Sequence, residues 1–344
     1  MERNKVLIVA EMSGNHNGSL RSAIEIIKAA KKAGADAIKL QTYTADTLTL
    51  DCHKPEFMTN PKGPWAGQTA YALYQQAHTP WGWHKELFHV AKEEGLICFS
   101  SPFDKTAVDF LEDLGNPIYK IASPEITDIP LIEYVAKKNK PVVFSSGIAT
   151  KEDLQLAIEA CRACGNDDIT LLKCTTAYPT PIEECNLNMI PIFASTFGVK
   201  VGLSDHTIGS LAPIIATSLG AVMIEKHFII DRKVGGPDAA FSMNMEEFRQ
   251  MVNDVRNVEK ALGRSSFDLS QSSVMGRRDA RSLYIAEDMK AGDILTEKNL
   301  RSVRPGFGLH PKYLKECLGK RVNRDLKKGE RMSLDFIKED DYKS

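Results

Sequence analysis

Two histidines, His206 in Gly202-Leu203-Ser204-Asp205-His206-Thr207 and His227 in Glu225-Lys226-His227-Phe228, each close an apolar, strand-like run. If those runs are neighbouring strands about 4.8 Å apart, the imidazoles can share one divalent ion and leave positions open for substrate oxygens. Two hydrogen-bonded structural histidines would show the same spacing, and spacing alone leaves that alternative standing. Counting by twos puts Ser204 on the face of His206 and Glu225 on the face of His227. Neither an HExxH motif nor a Cys/His quartet occurs, so a structural zinc site is not expected. Three lysines, Lys39, Lys120 and Lys226, lie in equally apolar runs, where an unpaired cation is costly. A metal with one or two lysines and a set of hydroxyls suits a small, multiply charged anion such as a phosphorylated carboxylate. At an effective dielectric of about 20, each close charge pair is worth on the order of 4 kcal/mol before desolvation. The competing chemistry is a Schiff base on one of the lysines.

Further polar residues recur at the ends of apolar runs: Glu11, Gln41, Ser100 and Ser101, Ser123 and Glu125, Ser145 and Ser146, then Thr175, Thr176 and Tyr178. One buried serine or lysine at a strand end is usually structural. Eight runs in succession argue for a site. Lys120 has the opposite parity to Ser123 and Glu125, so either that strand ends near Ala122 or one of the three faces out. Other groups carry less: Cys161 and Cys164 form a CxxC on a helix with no second pair, and Arg277-Arg278-Asp279-Ala280-Arg281 reads as solvated linker. Trp65, Trp81 and Trp83 either line a sugar pocket or anchor a loop.

The elements that must position these residues alternate. Strands are expected at residues 6–11, 37–43, 97–103, 118–123, 141–147, 169–176, 200–206 and 221–230. Helices are expected at 20–33, 82–94, 104–114, 130–138, 151–163, 187–197, 210–219 and 245–262, with Thr150 before Lys151-Glu152-Asp153 as an N-cap signal. Strand then helix, eight times, matches a (β/α)8 TIM barrel, whose catalytic groups sit at the C-terminal strand ends. A doubly wound open sheet is the alternative. Residues 44–81, with Pro55, Pro61, Pro64 and Pro80, form a long excursion expected to cover the catalytic face. Residues 1–263 thus read as the barrel, 264–281 as a polar linker and 282–344 as a small unit. That unit has strand-like runs at 281–286 and 329–332 and is too small for an ample core of its own, so it should lean on the barrel or on a partner subunit.

The 344 residues carry 44 Lys+Arg against 45 Asp+Glu, a net charge of -1, with 43% hydrophobic residues. That balance fits neither a nucleic-acid binder nor a disordered acidic chain. No apolar run approaches the ~20 residues of a membrane span, and Met1-Glu2-Arg3-Asn4-Lys5 lacks a signal-peptide core. A cytoplasmic protein with reduced thiols is expected from its seven scattered cysteines.

The strand ends resemble the sialic acid synthase family, in which a barrel precedes a small antifreeze-like (SAF, β-clip) domain. The likeness covers nearly the whole chain and is carried by Asn15-His16-Asn17-Gly18, Lys39-Leu40-Gln41-Thr42, Phe99-Ser100-Ser101-Pro102-Phe103, Tyr119-Lys120-Ile121-Ala122-Ser123, Ser145-Ser146-Gly147, Tyr178-Pro179-Thr180, the two histidine segments and Gly236-Pro237-Asp238. Glu11 to Asn17 and the loop from Gly63-Pro64-Trp65 to Pro80-Trp81 most resemble the branch that forms pseudaminic acid.

The resemblance implies condensation of phosphoenolpyruvate with an open-chain acetamido sugar, here 2,4-diacetamido-2,4,6-trideoxy-L-altrose, and water. It implies that Lys39, Ser101, Lys120, Ser123, Ser145 and Ser204 hold phosphoenolpyruvate and that His206 and His227 bind Mn2+, Mg2+ or Co2+. Glu11, Gln41, Tyr178 and Asp238 would orient the sugar, with Glu11 and Lys120 also counted among the catalytic groups and Glu125 a proton-transfer group. It further implies a homodimer with a swapped C-terminal domain, whose Arg304 enters the other subunit's barrel. Ala239-Ala240-Phe241 follows Asp238 where neuraminate synthases commonly have a histidine; a less polar wall there would suit a 6-deoxy sugar. The rival readings are a neuraminate or legionaminate synthase, a class I lysine aldolase, and a non-catalytic carbohydrate- or ice-binding protein.

Overall fold

A computed structural model describes residues 5–63 and 65–339; Met1–Asn4, Pro64 of the long excursion and residues 340–344 of the C-terminal unit lie outside the described residues. The chain divides after Gly263 into two compact units.

In the first unit eight parallel strands close on themselves. In chain order they and their helices are β1 (Leu7–Glu11), α1 (Leu20–Ala33), β2 (Ala37–Thr42), the short α2 (Ala45–Leu48), α3 (Ala70–Ala77), α4 (Trp81–Glu93), β3 (Ile97–Pro102), α5 (Lys105–Asp113), β4 (Tyr119–Ile121), α6 (Ile129–Ala136), β5 (Val142–Ser145), α7 (Lys151–Ala163), β6 (Ile169–Cys174), α8 (Met189–Phe197), β7 (Lys200–Asp205), α9 (Leu211–Ser218), β8 (Met223–His227) and α10 (Met245–Leu262). Closure comes from β1 pairing with β8 from Leu7↔Met223 to Glu11↔His227. That pairing eliminates the open-sheet alternative.

Period-2 alternation sorts the strand residues into two shells. Val9, Ala37, Phe99, Val143, Leu172 and Met223 form an apolar cluster of their own, which plugs the inside of the barrel. The intervening residues, such as Ile8, Ile38, Leu40 and Ile121, join the larger core shared with the helices. Gly202 belongs to the inner shell and has no room for a side chain: a Cβ there would lie 2.4 Å from the Met223 carbonyl oxygen. Each inner apolar residue is followed two positions later by Glu11, Lys39, Ser101, Ser145, Cys174 or Glu225. The plug therefore ends in a polar layer at the C-terminal mouth. Truncating Phe99, fully buried within the plug, would cost about 3–5 kcal/mol.

The helices form where apolar spacing and caps coincide. In α1, Ala23, Ile26, Ile27, Ala30 and Ala33 make one buried stripe, and Ser19 accepts the Ser22 N–H. Thr150 and Asp153 form the expected capping box of α7. The long excursion is not a bare loop: α2 and α3 lie within it, and Trp81 starts α4.

The second unit contains the short helix α11 (Gln271–Gly276), the antiparallel pair β9 (Ser282–Ile285) and β10 (Leu300–Val303), and α12 (Leu314–Cys317). Leu283, Ile285, Leu300, Val322 and Leu326 lie in its own core cluster. The expected run at 329–332 is not a strand; it contributes the isolated bridge Tyr284↔Arg331.

Candidate active site

The polar layer is built around four charges. Lys39 Nζ lies 2.8 Å from Glu11 Oε2 and 3.6 Å from Glu225 Oε1, and Lys120 Nζ lies 3.4 Å from that same Oε1. All four side chains are almost wholly buried. Two carboxylates balance two ammoniums, so this layer as a whole is close to neutral. Burial opposes the Lys39 charge, but Glu11 and Glu225 outweigh it and raise its pKa; burial lowers that of Lys120, with Glu225 resisting. Burial raises the Glu11 pKa against the pull of Lys39. The same desolvation acts on Glu225, yet Lys120 and Lys39 together bring its pKa below the ordinary value. Glu225 Oε2 has no hydrogen-bond partner.

Hydroxyls surround the lysines. Lys39 Nζ donates to Ser101 Oγ at 3.4 Å, and Ser204 Oγ donates to Glu225 Oε1 at 3.3 Å. Ser145 Oγ is buried without a partner. The parity conflict at Lys120 is resolved by a short β4: it ends at Ile121, and a 3-10 turn, Ser123–Thr127, carries Ser123 and Glu125 away from regular alternation. Gly147 N–H donates to Ser123 Oγ at 3.0 Å, an approach only glycine allows, since a Cβ there would lie 2.1 Å from Thr176 Oγ1. Glu125 is half-buried, but its Oε2 is enclosed and unpartnered, and desolvation pushes its pKa up to about 7.

The two histidines face each other with ring centroids 5.3 Å apart. His206 Nδ1 lies 2.9 Å from the Thr175 carbonyl oxygen, which fixes that nitrogen as the donor and leaves Nε2 as a free ligand atom. His227 Nδ1 is buried without a partner, and burial, with His206 and the lysines nearby, holds the ring neutral by lowering its pKa well below the usual value. Burial opposes the His206 charge, but Cys174 and the Thr175 carbonyl raise its pKa, so the two rings are tuned in opposite directions. With unspent nitrogens they fit a divalent ion, whose binding requires both rings to be neutral. Among the described residues no group of three or more His, Cys, Asp or Glu side chains is placed to hold a metal, so an ion here would draw its remaining ligands from water and substrate. Aromatic rings wall the pair: Tyr178 packs 4.4 Å from His206 and Phe241 5.0 Å from His227, centroid to centroid.

A second arc of polar groups lies beside Glu11. Gln41 Nε2 donates to Glu11 Oε1 at 2.9 Å and to Ser13 Oγ at 3.2 Å. Asp238 Oδ2 accepts the Gly14 N–H at 3.2 Å; burial raises the pKa of this carboxyl, while Ser13 and the Gly14 N–H resist. Trp65 Nε1 donates to the Pro237 carbonyl at 2.7 Å and its ring packs against Tyr178, tying the excursion to the segment that carries Asp238.

The barrel mouth thus gathers Glu11, Lys39, Gln41, Ser101, Lys120, Ser123, Glu125, Ser145, Tyr178, Ser204, His206, His227 and Asp238. Arg304 lies in the second unit, exposed, at a cis peptide before Pro305. Lys226 is the lysine that is paired and not available to a substrate. It has the outward parity, and its Nζ is spent on Asp205 Oδ2 and the Thr207 and Gly209 carbonyls. Ser100 also faces outward, to Thr42. Trp81 stacks on Phe110 and Trp83 packs on His16, so both are anchors, and Cys161 and Cys164 are free thiols. Sequence reasoning assigned no role to Glu225, Ser13 or Cys174, whose Sγ lies 4.0 Å from His206 Nδ1. Glu225 and Cys174 share the inward parity of their neighbours, which was the signal available.

The NeuB family model matches residues 26–267 and an SAF domain model residues 280–334. A pseudaminic acid synthase of Campylobacter jejuni is 48% identical over 98% of this chain and 97% of its own length. One of Helicobacter pylori is 48% identical over 96% and 97%. Among solved structures, an N-acetylneuraminic acid synthetase of Leptospira borgpetersenii, crystallised with citrate, superposes with a TM-score of 0.70 at 29% identity, covering 79% of this chain and 90% of that one.

Proposed function

The chain belongs to the NeuB family, and from that premise we propose that it acts as a pseudaminic acid synthase, joining phosphoenolpyruvate to 2,4-diacetamido-2,4,6-trideoxy-L-altrose. C3 of phosphoenolpyruvate forms a bond to the aldehyde carbon, a water oxygen adds at C2, and the bond from C2 to the phosphate oxygen breaks. The products are the nonulosonic acid and phosphate. The observation that carries this reading is the convergence of Lys39 and Lys120 with the unpartnered Ser145 hydroxyl at a barrel mouth that also holds the facing pair His206 and His227.

In this reading Lys39, Ser101, Lys120, Ser123, Ser145 and Ser204 hold the phosphate and carboxylate of phosphoenolpyruvate, in a pocket dry enough for each charge contact to count. Glu11, Gln41, Tyr178 and Asp238 orient the sugar. Glu125, with a pKa of about 7, holds or passes a proton at neutral pH. His206 and His227 bind a divalent ion, Mn2+, Mg2+ or Co2+, which supplies Lewis acidity toward the aldehyde oxygen. Ala239-Ala240-Phe241, a segment where a polar residue would favour a hydroxylated C6, forms a less polar wall, with the Phe241 ring packed beside His227. The barrel (1–263), the connecting stretch 264–281 and the SAF domain (282–344) are completed by a second copy in a swapped homodimer, with Arg304 reaching the partner's barrel, in the cytoplasm.

Phosphate release from phosphoenolpyruvate, measured with a panel of acetamido sugars and metals, tests the reading. Release is expected with the trideoxy-altrose and a divalent ion and should be lost on chelation. Equal turnover of N-acetylmannosamine would overturn the sugar assignment. Borohydride trapping of a pyruvate adduct would turn the reaction into a lysine aldolase.

A further inference from the structure

Four described residues other than glycine have positive φ. Three are asparagines, which tolerate that region; the fourth is Ser13, at φ 48°. It opens the 3-10 turn Ser13–His16 just after β1 and is buried. Glycine would adopt this backbone without strain, so retention of a strained side chain points to a task for the hydroxyl. That hydroxyl accepts the Gln41 amide at 3.2 Å and reaches the Asp238 carboxylate, which also takes the adjoining Gly14 N–H. Gln41 in turn is tied to Glu11 at 2.9 Å. One hydroxyl thereby joins two strand ends, β1 and β2, to the segment beyond β8 that carries Asp238.

We propose that Ser13 is a specificity-determining positioning residue, whose hydroxyl couples Asp238 to the Glu11–Gln41 pair and sets the acceptor-rich rim that meets the amide N–H and hydroxyl groups of the open-chain sugar. The inference rests on the synthase reading for the identity of that sugar. Lys120, on the phosphoenolpyruvate side, is outside this network and Lys39 meets it only through Glu11, so the sugar should respond more strongly than phosphoenolpyruvate.

The experiment compares the full-length metal-loaded enzyme with Ser13→Gly and Ser13→Ala, varying the sugar at saturating phosphoenolpyruvate and the reverse, with thermal midpoints measured alongside. Ser13→Gly should raise KM for the sugar about tenfold, leave KM for phosphoenolpyruvate within about twofold, and unfold no earlier than wild type, because the backbone strain is relieved as the hydroxyl is lost. Ser13→Ala should share the KM change and unfold earlier than Ser13→Gly. Wild-type sugar KM in either variant, or equal changes for both substrates, would overturn the inference while leaving the synthase reading intact. A wild-type enzyme that releases phosphate with none of the sugars would remove the synthase reading itself, and this inference with it.

Discussion

Replacing Glu125 by glutamine should make the protein more stable and less active, and the effect should depend on pH in a definite direction. The carboxyl has a pKa of 4.5 when unperturbed and about 7 in the fold, raised chiefly by desolvation. Because the folded value is the higher, the folded state keeps a proton that the unfolded chain has lost between those two values. Stability therefore falls as pH rises from about 4.5 to about 7, and the whole cost is present above that window. A difference of about 2.5 in pKa at 1.36 kcal/mol each amounts to about 3 kcal/mol. Glutamine keeps the shape and cannot ionise. Thermal unfolding of wild type and Glu125→Gln at pH 8 should separate by on the order of 5–10 °C in favour of the variant, with the gap closing toward pH 4.5. Turnover should fall about 10²-fold or more, and the inflection near pH 7 in kcat/KM should vanish. A variant no more stable than wild type at pH 8, or a gap independent of pH, would refute the reasoning that burial holds this group near neutrality for use.

Glu225→Gln strips a carboxylate from between Lys39 and Lys120, 3.6 and 3.4 Å away; the apo enzyme should lose about 3–5 kcal/mol, and saturating phosphoenolpyruvate should raise its thermal midpoint more than it raises that of wild type. A smaller ligand shift in the variant would argue against an anion site at these lysines. His227→Ala should leave the circular dichroism spectrum unchanged, since it sits at the barrel rim, while elemental analysis finds no bound divalent ion and turnover is abolished. Arg304→Ala and Lys120→Ala should each be inactive alone, yet mixed subunits should recover about one quarter of the wild-type sites if the C-terminal domain is exchanged in a dimer; no recovery would exclude the exchange.

The barrel was legible because it repeats. Eight apolar runs separated by amphipathic helices leave few other ways to bury both faces of every strand, and inward parity could be counted along Glu11, Lys39, Ser145 or Glu225 without any structure. Less legible was anything that depended on where regular alternation stops. Ser123 and Glu125 reach the mouth because β4 ends at Ile121; the parity conflict at Lys120 offered an early strand end as one of two alternatives and could not choose between them.

By itself, then, the sequence determined the architecture, the end of the barrel that bears the chemistry and the residue types available there, since these follow from hydrophobic period and strand order. The tertiary structure alone decided what each of three similar buried lysines meets. Lys39 and Lys120 share Glu225, whereas Lys226 is consumed by Asp205 and two carbonyls on the outside of its strand. It alone also brought Gln41 onto Ser13 and Asp238 onto the adjoining Gly14 N–H, gathering residues 197 positions apart, counted from 41 to 238. A period-2 pattern sorts residues by face but does not supply their partners, and contacts between strand ends exist only once the closing register of β1 on β8 has been set.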